Sequence, residues 1–266
     1  MYQIPCSSDG LAYICMPFYY FNYFPPMEYE PVYSDLLVVI TTTRIASIYK
    51  FNPSSPQNTC IGSENEPLNI PRRKIGKPFA AELDITSRCF ACTKDGSLIL
   101  SCGHWDFSIS CTWMDQSKPI QSLHNHKDIV TCIALGKDEK TFVTGSKDTT
   151  ILVWEIQYQK GVPYKVDENP VHILYGHNDD VNCVAIDVGL GICVSGSNDG
   201  TCIVHNLIDG IYLRSIYHPN QSAIHLVQAS TMGHIVFFSL VCFSSPNISL
   251  ECKFLIFSFL LANRAI

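Results

Sequence analysis

Basic residues are scarce in this chain, and nowhere do they gather into a long run. Lys and Arg number 18 against 24 Asp and Glu, a net charge of −6. The phosphate-neutralising footprint that nucleic acid requires is therefore missing. The one basic cluster, Arg72-Arg73-Lys74, follows Pro71 in a polar stretch and is read as a solvated loop. Long hydrophobic runs are missing too. Ile235 to Phe243 and Phe254 to Ala262 are each too short to cross a bilayer, and a Ser244-Ser245-Pro246-Asn247 segment with Glu251 and Lys253 separates them. The N-terminus has neither a basic region ahead of an apolar stretch nor a cleavage-like sequence, so no signal peptide is expected. There is no Gly-x-Ser-x-Gly elbow and no phosphate loop. Cys89-Phe90-Ala91-Cys92 has no second pair at zinc-ribbon spacing, and His124-Asn125-His126 is equally weak, so neither metal nor cofactor is expected.

Cysteine, by contrast, is plentiful. The 13 thiols include Cys132, Cys183, Cys193 and Cys202 inside apolar, strand-like runs. There they read as small buried hydrophobes in a reducing compartment, and a cytoplasmic location is expected. An apolar content of 47%, with 13 Tyr and 14 Phe in short runs, is enough for a substantial core.

Two stretches share one ruler. His126 is followed by Asp148 and Trp154, with Thr144-Gly145-Ser146 ahead of the Asp; Gly176-His177 is followed by Asp199 and His205, with Ser195-Gly196-Ser197 ahead of the Asp. His to Asp is 22 residues in both, and Asp to Trp154 or His205 is 6 in both. Fixed spacing of hydrogen-bonding side chains marks a repeated supersecondary unit. A third copy lies upstream: Asp106 falls 42 residues before Asp148, which puts Thr112 at the Trp154 position and Asp84 at the His position. Each unit reads as four short strands, best seen in Ile129 to Leu135, Thr141 to Thr144, Ile151 to Trp154 and Val171 to Tyr175. In the next copy Ile192 to Ser195, Cys202 to His205 and Ile211 to Ile216 repeat the pattern, and Ala223 to Val227 with Gly233 to Ser239 starts a further one. Between Gln157 and Asn169, Lys160-Gly161 and Pro163 predict an inserted loop.

Four segments follow. Residues 1–35 are irregular and rich in aromatics and Pro; 36–77 hold a degenerate unit and a polar loop; 78–239 carry the repeats; 240–266 form an apolar, divergent tail. Within the ruler, each Asp should accept from backbone N–H groups and from the His, the His should hold the Thr or Ser, and an aromatic N–H should complete the chain. A Ser-His-Asp collection also suggests a hydrolase. Recurrence of the same set at a structural period, without an elbow, favours a scaffold, so the chain is not expected to be an enzyme.

Gly176-His177, Ser195 to Asp199, Thr144 to Asp148 and Ile151-Leu152-Val153-Trp154 resemble the WD40 repeat, which implies an all-β, incomplete WD40 β-propeller with about three clear four-stranded blades plus degenerate ones. Finer motifs resemble the C-terminal propeller of BEACH-domain proteins of the neurobeachin-like branch. These are Ser101-Cys102-Gly103-His104-Trp105-Asp106, His126 to Cys132, Pro170 to His177 and Val194 to Gly200. That resemblance implies a non-catalytic protein–protein interaction scaffold acting in vesicle trafficking or protein localisation. It also implies a BEACH domain in cis and peripheral association with endomembranes. The chain holds no BEACH-like segment and diverges after Ser239, so it reads as a fragment of a larger protein. A WD40 adaptor of another assembly, such as a ubiquitin ligase, or a membrane-anchored short form is the alternative.

Binding on propellers favours loops beside the Asp turns. The candidate partner-binding residues are Asp128 and Lys147 in one blade and Asp179, Asp180 and Asn198 in the next. Trp105 is the candidate aromatic anchor.

Overall fold

The computed structural model describes residues 13–15, 36–41, 43–50, 71–217, 222–229, 234–240 and 252–258. The aromatic stretch from Phe18 to Pro26, most of the polar loop expected within 36–77 and the separating segment 244–251 lie outside them. Among the described residues the regular structure is strand, apart from one turn of 3₁₀ helix at Ser87–Cys89.

Five antiparallel sheets follow one another in chain order as the blades of an incomplete β-propeller. The first holds β1 (Tyr13–Cys15), β2 (Leu36–Ile40), β3 (Ile45–Lys50) and β4 (Arg72–Lys74). The second holds β5 (Phe90–Cys92), β6 (Leu98–Ser101), β7 (Ile109–Trp113) and β8 (Gln121–Leu123). The third is built from β9 (Val130–Leu135), β10 (Thr141–Ser146), β11 (Ile151–Gln159), β12 (Val162–Val166) and β13 (His172–Leu174). The fourth comprises β14 (Val181–Asp187), β15 (Ile192–Ser197), β16 (Thr201–Asn206) and β17 (Tyr212–Tyr217). The fifth pairs β18 (Ile224–Ala229), β19 (His234–Leu240) and β20 (Cys252–Ser258). Thus the segment 1–35 supplies a strand, and so does the segment 240–266.

Burial along each strand follows its place in the stack. β6, β7 and β15 are buried at every position, because a middle strand of a sheet between two others has apolar neighbours on both faces. β17, on an outer rim, buries only Ile216 and leaves Tyr212, Leu213 and Arg214 exposed. One core runs through the first three sheets, from Val38 and Ile75 past Leu98, Ile109 and Trp113 to Trp154 and Val166. A second links the third and fourth sheets through Val143, Val153, Val181 and Cys193. A third joins Val194 and Val204 of the fourth sheet to Ile224 and Val227 of the fifth. Successive sheets thus bury their facing sides against one another, as a stacked repeat requires. Cys89, Cys92, Cys102, Cys111, Cys132, Cys183, Cys193 and Cys202 are all buried within these cores, and none is in a disulfide.

Two expectations need correction. The inserted loop between Gln157 and Asn169 is a hairpin: β11 runs on to Gln159 and pairs with β12, Gln157 opposite Lys165 and Gln159 opposite Val162. Lys160 and Gly161 both take left-handed φ, 53° and 80°, the geometry of a type I′ turn that suits the twist of the strands. Pro163 is accommodated where the register shifts between Gln157 and Tyr158. Nor is Arg72-Arg73-Lys74 a solvated loop. It is the strand β4, with Ser47 opposite Arg72 and Ile45 opposite Lys74, and the Arg73 guanidinium donates to the carbonyls of Trp113, Asp115 and Lys118.

Candidate functional site

At one end of the sheets the turn after the second strand of each blade meets the segment that enters its first strand. In the third sheet His126, just ahead of β9, reaches Asp148 in the β10–β11 turn. Its Nδ1–H donates to Asp148 Oδ2 at 3.0 Å, and its Nε2 accepts from the Thr144 hydroxyl at 2.9 Å. Trp154 Nε1–H donates to the same Thr144 oxygen at 3.0 Å. The Asp148 carboxylate also takes the Lys127 N–H at 2.7 Å, the Thr150 N–H at 2.9 Å and the Thr150 hydroxyl. Ser146 closes the turn by donating to the carbonyl of Ile129 and accepting from the Asp148 N–H.

The fourth sheet repeats this with three members. His177 Nδ1 lies 3.3 Å from Asp199 and 2.9 Å from the Thr201 hydroxyl, and its Nε2 accepts from Ser195 at 2.8 Å. His205, at the position of Trp154, is outside the network: its Nε2 meets the Tyr175 carbonyl at 3.0 Å. An imidazole is shorter than an indole and does not bring a donor to Ser195. The second set is therefore a triad.

In the second sheet the place of the His is taken by Lys77, not Asp84. Lys77 Nζ pairs with Asp106 at 2.8 Å, and its carbonyl accepts from His104 Nδ1–H at 2.7 Å while His104 Nε2 meets Ser101 at 3.1 Å. The 3₁₀ turn at Ser87–Cys89 lies in a longer segment between this residue and its Asp, which breaks the 22-residue ruler. Sequence reasoning also missed Thr150 and Thr201. Their signal was present, since a Ser or Thr stands two residues after Asp95, Asp106, Asp115, Asp148 and Asp199 and hydrogen-bonds that carboxylate in every case.

Electrostatics follow from this wiring. Burial works against the Asp148 carboxylate, but donation from His126, Thr150 and the Lys127 N–H outweighs it and holds the group well below the carboxylate range. Burial likewise opposes Asp199, and the Thr201 hydroxyl with the Asn178 and Thr201 N–H groups brings it down. His104, His177 and His205 are pushed below the ordinary imidazole value, each chiefly by burial. Both kinds of shift act in the same direction on stability. Between its two pKa values each group binds more protons unfolded than folded, so stability falls as pH falls. The urea midpoint should be level between about pH 7 and pH 8, decline from about pH 6.5 as the unfolded histidines charge, and drop further below about pH 4 as the aspartates protonate. A midpoint unchanged from pH 8 to pH 5 would contradict the burial of neutral imidazoles.

Chemically, these sets satisfy buried polar groups. Thr144 and Ser195 are both 0% exposed, so no substrate carbonyl reaches either hydroxyl. No group of three His, Cys, Asp or Glu able to hold a metal converges among the described residues.

The turns that the sets pin reach the surface, with Trp105 and Asn198 exposed and Lys147 half-buried. Trp105, Lys147 and Asn198 occupy one equivalent position, each directly before the turn Asp of its sheet, and Trp105 is 59% exposed. Asp128 and Asp179 are also equivalent, each capping the next backbone N–H, at 2.6 Å and 2.8 Å, while its own carbonyl accepts from Ser146 or Ser197. Burial first, then the charges of Asp179 and Asp128, raises the Asp180 carboxyl against the opposing pull of Lys147. Asp128, Lys147, Asp179 and Asp180 thus share one patch across the seam between the third and fourth sheets. Asn198 joins it through its N–H on the Asp180 carbonyl at 2.9 Å. No hydrogen bond or ring contact links the Trp105 side chain to that patch among the described residues.

Comparison with known proteins agrees with this architecture. A family model described as the neurobeachin beta propeller domain matches residues 34–259. BEACH domain-containing protein B of Arabidopsis thaliana is 35% identical over 214 residues, 74% of this chain and 8% of that protein. BEACH domain-containing protein lvsE of Dictyostelium discoideum is 32% identical over 211 residues, 76% of this chain and 9% of its own length. The chain therefore spans less than a tenth of these relatives. Among solved structures, that of the RRP9 WD40 repeats aligns with a TM-score of 0.49 at 23% identity, over 62% of this chain and 50% of that one.

Proposed function

Since the chain belongs to the neurobeachin β-propeller family, we propose that it is an interaction scaffold of a BEACH-type protein, acting in vesicle trafficking or protein localisation. The observation that carries this reading is the division of labour at the Asp turns. Buried His, Thr or Ser and Asp side chains lock the backbone, and the residues beside them project outward with no part in the core. Rigid turns carrying exposed polar groups present a partner with a surface that need not be ordered on binding. Asp128, Lys147, Asp179, Asp180 and Asn198 form the polar part of that surface, and Trp105 supplies a rigid aromatic anchor on the neighbouring blade. Protein partners, with a BEACH domain in cis in the intact protein, fit this face better than a small substrate, because the patch is built on turns and crosses a seam between two sheets.

The test is quantitative affinity capture of vesicle-trafficking proteins from cytoplasm with the wild-type chain and with a Lys147→Glu, Asp179→Lys variant. Capture should fall at least tenfold in the variant while its melting temperature stays within a few degrees, because both side chains lie at the surface. Unchanged capture would sink the assignment of this face.

A further inference from the structure

The opposite end of the molecule carries an arrangement that the partner-binding face does not use. The β11–β12 hairpin belongs to the third sheet, yet its polar contacts reach the second. Trp113 Nε1–H donates to the Pro163 carbonyl at 3.0 Å, and Lys118 Nζ donates to the same oxygen at 3.2 Å. The Gln121 side chain treats Val166 as a strand would: its amide donates to the Val166 carbonyl at 2.6 Å and accepts the Val166 N–H at 3.2 Å. These bonds lie over buried apolar surface, with Val166 at 0% and Trp113 at 3% exposure. Lys118 Nζ sits 6.0 Å from the Trp113 ring centre and 5.9 Å from that of Tyr164. The root of the hairpin is braced within its own sheet, where Gln157 Nε2–H donates to both Asp167 oxygens at 2.9 and 2.8 Å and the Tyr158 hydroxyl donates to the Glu139 carbonyl at 2.8 Å.

We propose that this hairpin is a strap that fastens the third sheet to the outer rim of the second, so that the two open as one unit. In a stack of blades each unit packs chiefly on its neighbours, so a seam parts unless contacts beyond the apolar faces resist it. A contact at the rim acts with leverage against such parting. Arg73 extends the fastening by one sheet: from β4 it holds the carbonyls of Trp113, Asp115 and Lys118, the loop on which the strap lands. Three consecutive sheets are thereby tied along one rim.

Hydrogen exchange of the 266-residue chain, resolved by peptide, tests this. In the wild type, amides of β6 and β7 should exchange in step with those of β10 as denaturant rises. A Trp113→Phe, Gln121→Ala variant keeps the ring and removes three hydrogen bonds, at roughly fivefold each. The second sheet should then exchange at least tenfold faster relative to the third. Gln121→Ala alone, a milder change, should move the ratio several-fold and serves if the double variant does not fold. Val194→Ala, in the fourth sheet, should lower overall stability and leave the ratio alone. Strap variants that leave the second-to-third ratio at its wild-type value, or shift it no more than Val194→Ala does, overturn the proposal.

Discussion

Replacing Trp154 with Ala should destabilise the protein by about 3–5 kcal/mol, enough to consume much of the 5–15 kcal/mol that holds a typical domain folded. Trp154 is 0% exposed, its ring stacks on Phe142 with centroids 6.0 Å apart, and its N–H completes the Thr144–His126–Asp148 chain. Alanine would leave a large cavity in the core shared by the first three sheets and would also leave Thr144 short of a donor. At about 2–4 °C per kcal/mol for a chain of this size, the melting temperature should fall by roughly 10 °C. Trp154→Phe separates the two contributions. It preserves most of the stacking and removes only the donor, so it should cost about 1–2 kcal/mol by urea denaturation. If Phe costs as much as Ala, the packing account is wrong and the hydrogen-bond chain dominates.

The second large effect concerns Gly145. A methyl group there would stand 2.6 Å from Val181 Cγ1, the first residue of the next sheet, and 2.8 Å from Cys132 Sγ of its own. Neither wall has room to retreat, since both side chains are buried in the core joining the two sheets. Gly145→Val should therefore cost about 3 kcal/mol or more, chiefly by prising the third and fourth sheets apart beside the Asp148 turn. Gly196 repeats the situation one blade on, facing Cys183 and Ile224. The informative experiment is a double-mutant cycle. Val181→Ala destabilises by itself, but combined with Gly145→Ala it should return about 1–2 kcal/mol of the loss in urea unfolding. Strict additivity would mean that the Gly145 requirement lies elsewhere than at the seam.

What could be read from the chain beforehand divides along physical lines. The His126 and His177 rulers led to the turn networks because a hydrogen-bond chain in a small sheet fixes the spacing of its members. That logic misplaced the partner of Asp106, since a longer segment with its own 3₁₀ turn lets Lys77 arrive from outside the ruler. It also gave His205 the place of Trp154, which an imidazole is too short to fill. The hairpin at Lys160-Gly161 was read as a loop because Gly and Pro so often end strands; that both turn residues accept left-handed φ follows from pairing, which no local pattern declares. Arg73 was the least legible of all. It binds backbone carbonyls about forty residues away, and a carbonyl has no letter in the sequence.

The buried thiols give the molecule a built-in clock. Burial raises Cys111, and raises Cys132, Cys193 and Cys202, the last three to about 12, while Cys183 is raised mainly for the same reason. Such sulfurs hold their protons at neutral pH and meet no reagent while the sheets stay shut. Cys111 lies in the second sheet, Cys132 in the third and Cys183, Cys193 and Cys202 in the fourth. An alkylating agent added in excess would therefore mark each sheet at the moment it opens, and the masses of the labelled peptides would record the order in which the blades come apart.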